Sequence, residues 1–305
     1  MNLSISIQLL INGILFGTMY GIAAIGLSLI FGTMRIMFLA QGSMIVLFAY
    51  VCYWFFKLLG LDPYISLFLI VLIGLGFGAG IYHGLFKGAA AREDKNISLL
   101  IAVGLMFLVE NLMTVFWTAD PRTISTGYTS LVFRSMGIGI PFNRLMGFII
   151  ALFATAGVVL FLKKTFIGIA VRAAAEDMEA ATLLGINPHR VNSVAFAIGT
   201  GLAGIAGVEL ATIYPFDPFF GFVFVLKAMI ALAMGGIGNV FGALLGGIIL
   251  GLLESLSSFF IGGGWSDAVS YGVFLFILMF KPEGLLVRSV KNPAQRSRLL
   301  LKKKA

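Results

Sequence analysis

Long apolar runs, interrupted by short polar segments, divide the chain from its first residues almost to its end. A helix that crosses a bilayer needs about 20 predominantly apolar residues, at about 1.5 Å of rise per residue. By this criterion the pattern predicts nine spans, near residues 5–32, 36–57, 63–86, 97–118, 143–163, 191–214, 221–236, 239–262 and 266–281. The seventh is short, contains Lys227 and runs into a glycine-rich stretch at 235–239. A broken or re-entrant helix there, with eight spans in all, is the alternative.

The composition is that of an integral membrane protein. Hydrophobic residues make up 60% of the 305, charged residues make up 11%, and the mean hydropathy is +1.04. In lipid, only helices and closed barrels satisfy their own backbone hydrogen bonds, and these runs are too long and continuous for barrel strands. We therefore predict an all-α, polytopic helical bundle of about eight to nine transmembrane helices. Its transmembrane domain would cover residues 1–281, and a basic cytoplasmic tail would cover 282–305.

The distribution of basic residues predicts which side of the membrane each connection faces. Residues 281–305 hold eight lysines and arginines and one glutamate, so this end carries most of the net charge of +8. With nine spans and a cytoplasmic tail, the inner connections carry sixteen basic residues, whereas the outer connections carry four, which are Lys57, Arg122, Arg134 and Arg144. The positive-inside rule thus favours an outer N-terminus and a cytoplasmic C-terminus.

Two polar regions of the chain indicate which kinds of partner it can bind. A basic tail is expected of a cytoplasmic terminus beside anionic lipid, so it gives little support to nucleic-acid binding. The largest outer connection, about 119–142, is either a surface for an external partner or a plain loop.

The sequence offers no convincing catalytic or metal-binding motif. Cys52 is the sole cysteine, and His83 and His189 have neither cysteine partners nor ligand spacing around them. A GxGxxG pattern at 199–204 lies inside a predicted span without a preceding strand, which disfavours dinucleotide binding. There is no Walker A pattern and no Ser/His/Asp grouping in a soluble stretch. We expect a chain that is not an enzyme and binds no metal or cofactor itself, so that ATP, if used, is bound by another subunit.

Charged and amide side chains inside predicted spans are candidates for a polar translocation path, because an ionisable group in lipid is costly enough to suggest function. An internal ion pair of Lys227 with Glu209 or Glu254, which would fix helix packing, is the other interpretation, and the sequence leaves both open. The intramembrane candidates are Glu110, Asn111, Glu209, Lys227 and Glu254.

Residues 172–191 are predicted to form a short water-exposed helix among the spans. Alanine and glutamate favour a helix over 172–184, Gly185 can adopt the left-handed conformation that ends it, and Asn187 and Pro188 can open the next helix. The other faces are charged, and one face is apolar at helical spacing, through Val171, Ala174, Met178, Ala181 and Leu184. Such a helix can dock in the groove of a soluble partner.

Within this segment, Glu176-Asp177, Ala180-Ala181 and Gly185-Ile186-Asn187 resemble the cytosolic coupling motif of ABC importer permeases. The stretches that extend the resemblance are Tyr20–Leu27, Leu39–Gly42, Asp217–Gly221, Lys227-Ala228, Gly235–Asn239 with Gly242-Ala243, and Pro282–Leu285. Together they make the chain similar to the permease of the high-affinity branched-chain amino acid ABC transporter family, in the shorter of its two permease types. The resemblance covers nearly the whole chain, and residues 172–247 are its specific part.

The resemblance implies a bacterial inner-membrane assembly. Two homologous permeases would form the pathway, two cytosolic ATPases would bind the coupling segments and use ATP, and an extracytoplasmic solute-binding protein would deliver branched-chain amino acids. The residues that would contact an ATPase are Glu176, Asp177, Ala180, Gly185 and Ile186.

At two positions the sequence departs from the family pattern, with Gln41 where many relatives have histidine and Glu110 where a neutral amide is expected. Gln41 therefore joins the candidates for the translocation path. Because specificity in this superfamily rests largely with the binding protein, urea, short amides and other amino acids stay open as solutes. A self-contained secondary carrier or channel that uses Glu110, Glu209, Lys227 and Glu254 as an ion or proton relay is the competing class. A membrane scaffold without transport is a third.

Overall fold

A computed structural model describes residues 3–90, 95–135, 138–236 and 238–280 of the chain. These ranges form α1 to α12 with one short hairpin of two strands. The long helices are α1 (Leu3–Met34), α2 (Ala40–Leu59), α3 (Pro63–Ile81), α5 (Lys95–Trp117), α6 (Phe142–Lys164), α9 (Pro188–Ile213) and α11 (Val240–Phe260). The shorter ones are α4 (Lys87–Ala90), α7 (Phe166–Glu176), α8 (Met178–Leu183), α10 (Phe220–Gly235) and α12 (Ser266–Phe280), with a π-helical turn at Tyr82–Phe86 and a 3₁₀ turn at Gly263–Trp265. The predicted tail over 282–305 lies outside the described residues.

Seven helical stretches within the described ranges are long and apolar enough to cross a membrane. They correspond to seven of the nine predicted spans, with ends within a few residues of the prediction. The third stretch runs from Pro63 to Ala90 because the π-helical turn joins α3 to α4 without a break. The all-α polytopic prediction is therefore confirmed, while the seventh and ninth predicted spans correspond to helices of 16 and 15 described residues.

Glycines set the closest helix contact, between α1 and α11. The two helices run antiparallel, since Gly13 lies against Leu252, Gly17 against Ile248 and Gly21 against Leu244. A Cβ atom on Gly247 would overlap the backbone of Gly21 and lie 2.6 Å from the carbonyl oxygen of Gly17. In lipid, apolar burial does not drive helices together, so such contacts rely on small residues that let backbones approach.

The helix α9 lies at the centre of the bundle, packed on α1, α2 and α3. The glycines of its GxGxxG pattern serve this packing, since Gly199 meets Gly26 of α1, and Gly204 meets Ile70 of α3. The pattern lies within a buried helix, and its glycines admit neighbouring helices.

The helix α10 supports the alternative of a broken helix rather than a full crossing. Its first turn approaches α2 at Gly42, because a Cβ on either Gly42 or Gly221 would overlap the backbone of the other. Gln41, the neighbour of Gly42, bonds to Gly199 near the middle of α9. The helix α10 therefore begins inside the bundle, and its end packs against the start of α11 at Gly242.

The connection over 119–142 contains a short hairpin that the sequence pattern does not predict. Strand β1 (Val132–Ser135) pairs antiparallel with β2 (Ile138–Pro141). Tyr128 donates a hydrogen bond to Asp62 at 2.7 Å, and burial, followed by this bond, raises the pKa of the Tyr128 hydroxyl, which therefore stays a donor. Arg122 pairs with Phe216 through backbone hydrogen bonds, which ties the connection to the end of α9.

We predict that Gly247→Ala destabilises the protein by about 1–3 kcal/mol, the usual cost of overpacking. The added methyl group would collide with the α1 backbone, which cannot rotate out of the way. Gly76→Ala is the matched control because Gly76 faces open space and alanine favours helix. Thermal unfolding of both variants in detergent checks this, and equal melting temperatures would contradict a close α1–α11 contact.

Candidate functional site

The predicted coupling segment is two helices rather than one over 172–184. The helix α7 ends at Glu176, Asp177 takes an extended conformation, and α8 starts at Met178. The Asp177 carboxylate accepts a hydrogen bond from the backbone N–H of Ala180 at 3.0 Å, so it caps α8. Propensity alone favoured one continuous helix, and the signal that was missed is the aspartate at a position that can cap.

The sharp stop and re-entry predicted after this segment are confirmed. Gly185 has φ of +85°, a left-handed conformation that a residue with a side chain adopts only with strain. Asn187 then caps α9, its side-chain oxygen accepting from the N–H groups of His189 at 3.0 Å and Arg190 at 3.4 Å. Pro188 occupies the first turn, where no N–H is needed. These local signals fix the exit angle of the chain.

The apolar face of the segment is buried only in part. Val171, Ala174 and Ala181 are buried, whereas Leu184, predicted to share that face, is 83% exposed because it follows the end of α8. Leu183 beside it is 85% exposed. Of the five predicted ATPase contacts, Ile186 is half-buried and four are exposed, namely Glu176, Asp177, Ala180 and Gly185. We call residues 176–185, which are exposed except for the half-buried Met178 and the buried Ala181, the coupling tip.

The coupling tip and the hairpin lie at opposite ends of the bundle. At one end of α1, Gly32 approaches Ala175 of α7, and a cleft of about 780 Å³ separates Arg35 from α8. At the other end, the Gln8 amide and Gly139 of β2 exchange two hydrogen bonds of 2.8 Å. Since α1 is a single helix long enough to span a bilayer, the two regions are expected on opposite sides of the membrane.

The intramembrane pair of Lys227 with Glu254, one of the two pairings considered, is present. The Lys227 Nζ atom lies 2.9 Å from Glu254 Oε1 and 2.9 Å from Asp267 Oδ1. The Tyr20 hydroxyl donates to Glu254 Oε2 at 2.8 Å. This ionic cluster joins α1, α10, α11 and α12. Asp267 was missed because it lies in the first turn of a short apolar helix and was counted only as part of a span.

Glu209 does not pair with Lys227, so that alternative pairing is wrong. It is fully buried on α9, beside Gly147 of α6, where a Cβ would lie 3.3 Å from its carboxyl carbon. Its Oε1 atom has no hydrogen-bond partner among the described residues. A buried acid in this setting needs a partner or a proton.

Gln41 and Glu110 lie within the helix packing. The Gln41 amide donates to the carbonyl of Gly199 at 3.0 Å, and Ser43 donates to Glu110 at 2.9 Å. Asn111 faces out of the bundle and bonds back to Phe107 of its own helix. The six candidate path residues therefore separate into at least three places, and of them only Glu254 borders one of the clefts described here.

That cleft, which we call the outer cleft, lies at the hairpin end of the bundle. It has a volume of about 480 Å³ between α1, α11, the start of α12 and the end of α9. Its polar lining residues are Asn12, Tyr214, Glu254, Ser255, Ser258 and Ser266. Within the described ranges, no group of three or more His, Cys, Asp or Glu side chains is placed to hold a metal ion.

These features define a multi-pass α-helical protein with an exposed, capped segment at one end and a polar cleft at the other. Residues 9–278 match the family described as branched-chain amino acid transport system / permease component. The chain therefore belongs to that family of inner-membrane transport permeases, which are not enzymes.

Curated relatives agree with this assignment. The chain is 30% identical over 295 residues to the high-affinity branched-chain amino acid transport system permease protein BraD of Pseudomonas aeruginosa, covering 92% of this chain and 96% of that protein. It is equally similar, 30% over 294 residues and the same coverage, to LivH of Salmonella typhimurium. The probable permease LivH of Methanocaldococcus jannaschii is 24% identical over 293 residues, which cover 91% of each chain.

We predict that Lys227→Met destabilises the protein by about 3–5 kcal/mol, because it leaves two carboxylates without their cation. The double variant Lys227→Met/Glu254→Gln should recover part of that loss, since one of those charges is then removed. Lys57→Met is the matched control, because Lys57 is exposed and makes no ion pair within the described part of the chain. Thermal unfolding by tryptophan fluorescence gives the comparison, and equal losses in the single and double variants would refute the coupling.

Proposed function

We propose that this chain is the membrane-spanning permease subunit of an ATP-driven importer for branched-chain amino acids. The observation that carries the proposal is the coupling tip, a rigidly capped exposed segment between two membrane helices, in a chain of this permease family. The substrate assignment is supported by bacterial and archaeal relatives that are named as branched-chain amino acid permeases. The match to this chain covers more than nine-tenths of each of them.

The proposed assembly contains this chain, a homologous second permease, two cytosolic ATPases and an extracytoplasmic solute-binding protein. The ATPases bind and hydrolyse ATP, and this chain itself binds no cofactor. The coupling tip faces the cytoplasm, and the hairpin and outer cleft face the binding protein. The basic connections at the tip end, including Lys163, Lys164 and Arg172, support this orientation through the positive-inside rule.

Coupling is proposed to pass through Glu176, Asp177, Ala180, Gly185 and Ile186. The carboxylates and the exposed leucines of the tip present charge and apolar area together, a composition suited to docking in a groove. The break at Asp177 lets α8 act as a short unit, while α7 transmits its displacement to α1 through the contact of Ala175 with Gly32. Closure of the ATPases would thus move the end of α1.

The polar residues of the path are proposed to act near the outer cleft, which Glu254 lines and to which Lys227 is joined through its ion pair with Glu254. Gln41, Glu110 and Glu209 are instead placed to hold helices together, and Asn111 points outward from the bundle. A secondary carrier would need a connected relay of ionisable groups. The separation of Glu110 and Glu209 from the ionic cluster argues against that alternative. Transport of urea or amides would require a different binding protein.

The uptake of leucine by reconstituted vesicles tests the proposed function. The full complex, with its binding protein outside and ATP inside, should accumulate labelled leucine, isoleucine or valine. Uptake should require both ATP and the binding protein. Accumulation driven by a proton gradient without ATP would show that the protein is a secondary carrier. Accumulation of urea alone would show that the proposed substrate is wrong.

We predict that the paired change Leu183→Asp/Leu184→Asp removes the ATPases from the purified complex. Both side chains are more than four-fifths exposed, so the change should leave the fold intact while placing charge in a docking contact. Leu131→Asp, an exposed leucine at the hairpin end, is the matched control. Recovery of ATPases with tagged chain, quantified by mass spectrometry, checks this. Undiminished recovery with the tip variant would count against the coupling role.

A further inference from the structure

One carboxylate, Glu254, lines the outer cleft, and a second, Asp267, follows the lining residue Ser266 and belongs to the same ionic cluster. Asp267 and Glu254 share a single lysine, Lys227, so the cluster carries one uncompensated negative charge when both acids are ionised. Lys227 and Glu254 are largely buried, at 13% and 14% side-chain exposure, whereas Asp267 is 48% exposed. Asp267 is therefore an exposed carboxylate beside the cleft that Lys227 already holds in place, and such a carboxylate can bind an ammonium group.

A cation without a carboxylate partner among the described residues lies beside the cleft. The half-buried Arg144 donates from Nη1 to Asn12 Oδ1 at 3.2 Å, and its guanidinium carbon lies 4.0 Å from the centre of the Phe16 ring. No carboxylate of the described residues lies within 4.0 Å of it. Asn12 and Phe16 both line the cleft, so Arg144 borders it through them.

Apolar side chains complete the lining. Leu9, Phe16 and Phe259 face the same space as the polar groups. A volume of about 480 Å³ lies within the range of small-molecule sites, which combine apolar walls with a few placed polar groups. The cleft also lies at the end of the bundle opposite the coupling tip, where the proposed binding protein would release its solute.

We propose that the outer cleft is an entry subsite for a free α-amino acid. Arg144 would bind the carboxylate and the Asp267–Glu254 side would bind the ammonium group, while Leu9 and Phe259 would contact an apolar side chain. This inference rests on the proposed function. It adds that the permease itself, and not the binding protein alone, selects for the zwitterionic form of an amino acid. The combination of an unpaired guanidinium, a net negative cluster and apolar walls would disfavour uncharged amides and urea, which match neither charged side.

Reconstituted complex that carries Arg144→Gln tests the subsite. Its leucine uptake per ATP hydrolysed should fall about tenfold, the effect of one lost charge-assisted contact. The ATPase activity stimulated by loaded binding protein should persist. Arg144→Lys should restore part of the uptake, because it returns the cation. Arg134→Gln is the matched control, since Arg134 is an exposed arginine in β1.

Asp267→Asn should reduce leucine uptake in the same way as Arg144→Gln, with Asp120→Asn as its control.

The outcomes separate this inference from the proposed function. If wild-type complex accumulates leucine and the Arg144 and Asp267 variants match it, the subsite is refuted while the permease role stands. If uptake and ATPase activity fall together and Arg144→Lys does not help, the residue is structural and the subsite is again refuted. If wild-type complex takes up no amino acid, the proposed function fails and this subsite with it.

Discussion

Close backbone contact between helices is the constraint on which the structure depends. In lipid the solvent is as apolar as the side chains, so helices gain little from burying leucine against leucine. Gly17, Gly21 and Gly247 let α1 and α11 approach to backbone distance, and Gly199 and Gly204 do the same for α9. The central helices are thereby held with little room for movement at these contacts.

That packing also determines where polar groups can go. Gln41 can bond to the backbone of Gly199 only because α1, α2 and α9 meet closely at Gly26. The ionic cluster around Lys227 is possible because α10 begins inside the bundle, which places a lysine beside Glu254 of α11. Polar groups that line a cleft or face solvent consequently lie toward the ends of the bundle, with the outer cleft at one end and the coupling tip at the other.

The sequence predicted the long helices well because length and hydropathy decide them. It also predicted the stop at Gly185 and the cap at Asn187, which are local signals. It did not predict the break at Asp177, since helix propensity favours a continuous helix there and competes with the ability of Asp177 to cap a new one. It could not assign Lys227 to Glu254 over Glu209, because helix rotation is set by contacts between distant parts of the chain. Arg144 was counted only as an outer charge, since its relation to Asn12 exists only in three dimensions.

The proposed coupling role requires that the coupling tip meets an ATPase in the cell. The most direct measurement is photo-crosslinking from a reactive side chain placed at Leu184, with position 131 in the hairpin connection as the comparison. We predict a crosslink from position 184 to an ATP-binding chain that position 131 does not give. A position 184 that crosslinks only to an extracytoplasmic protein, or to no ATP-binding chain, would contradict it.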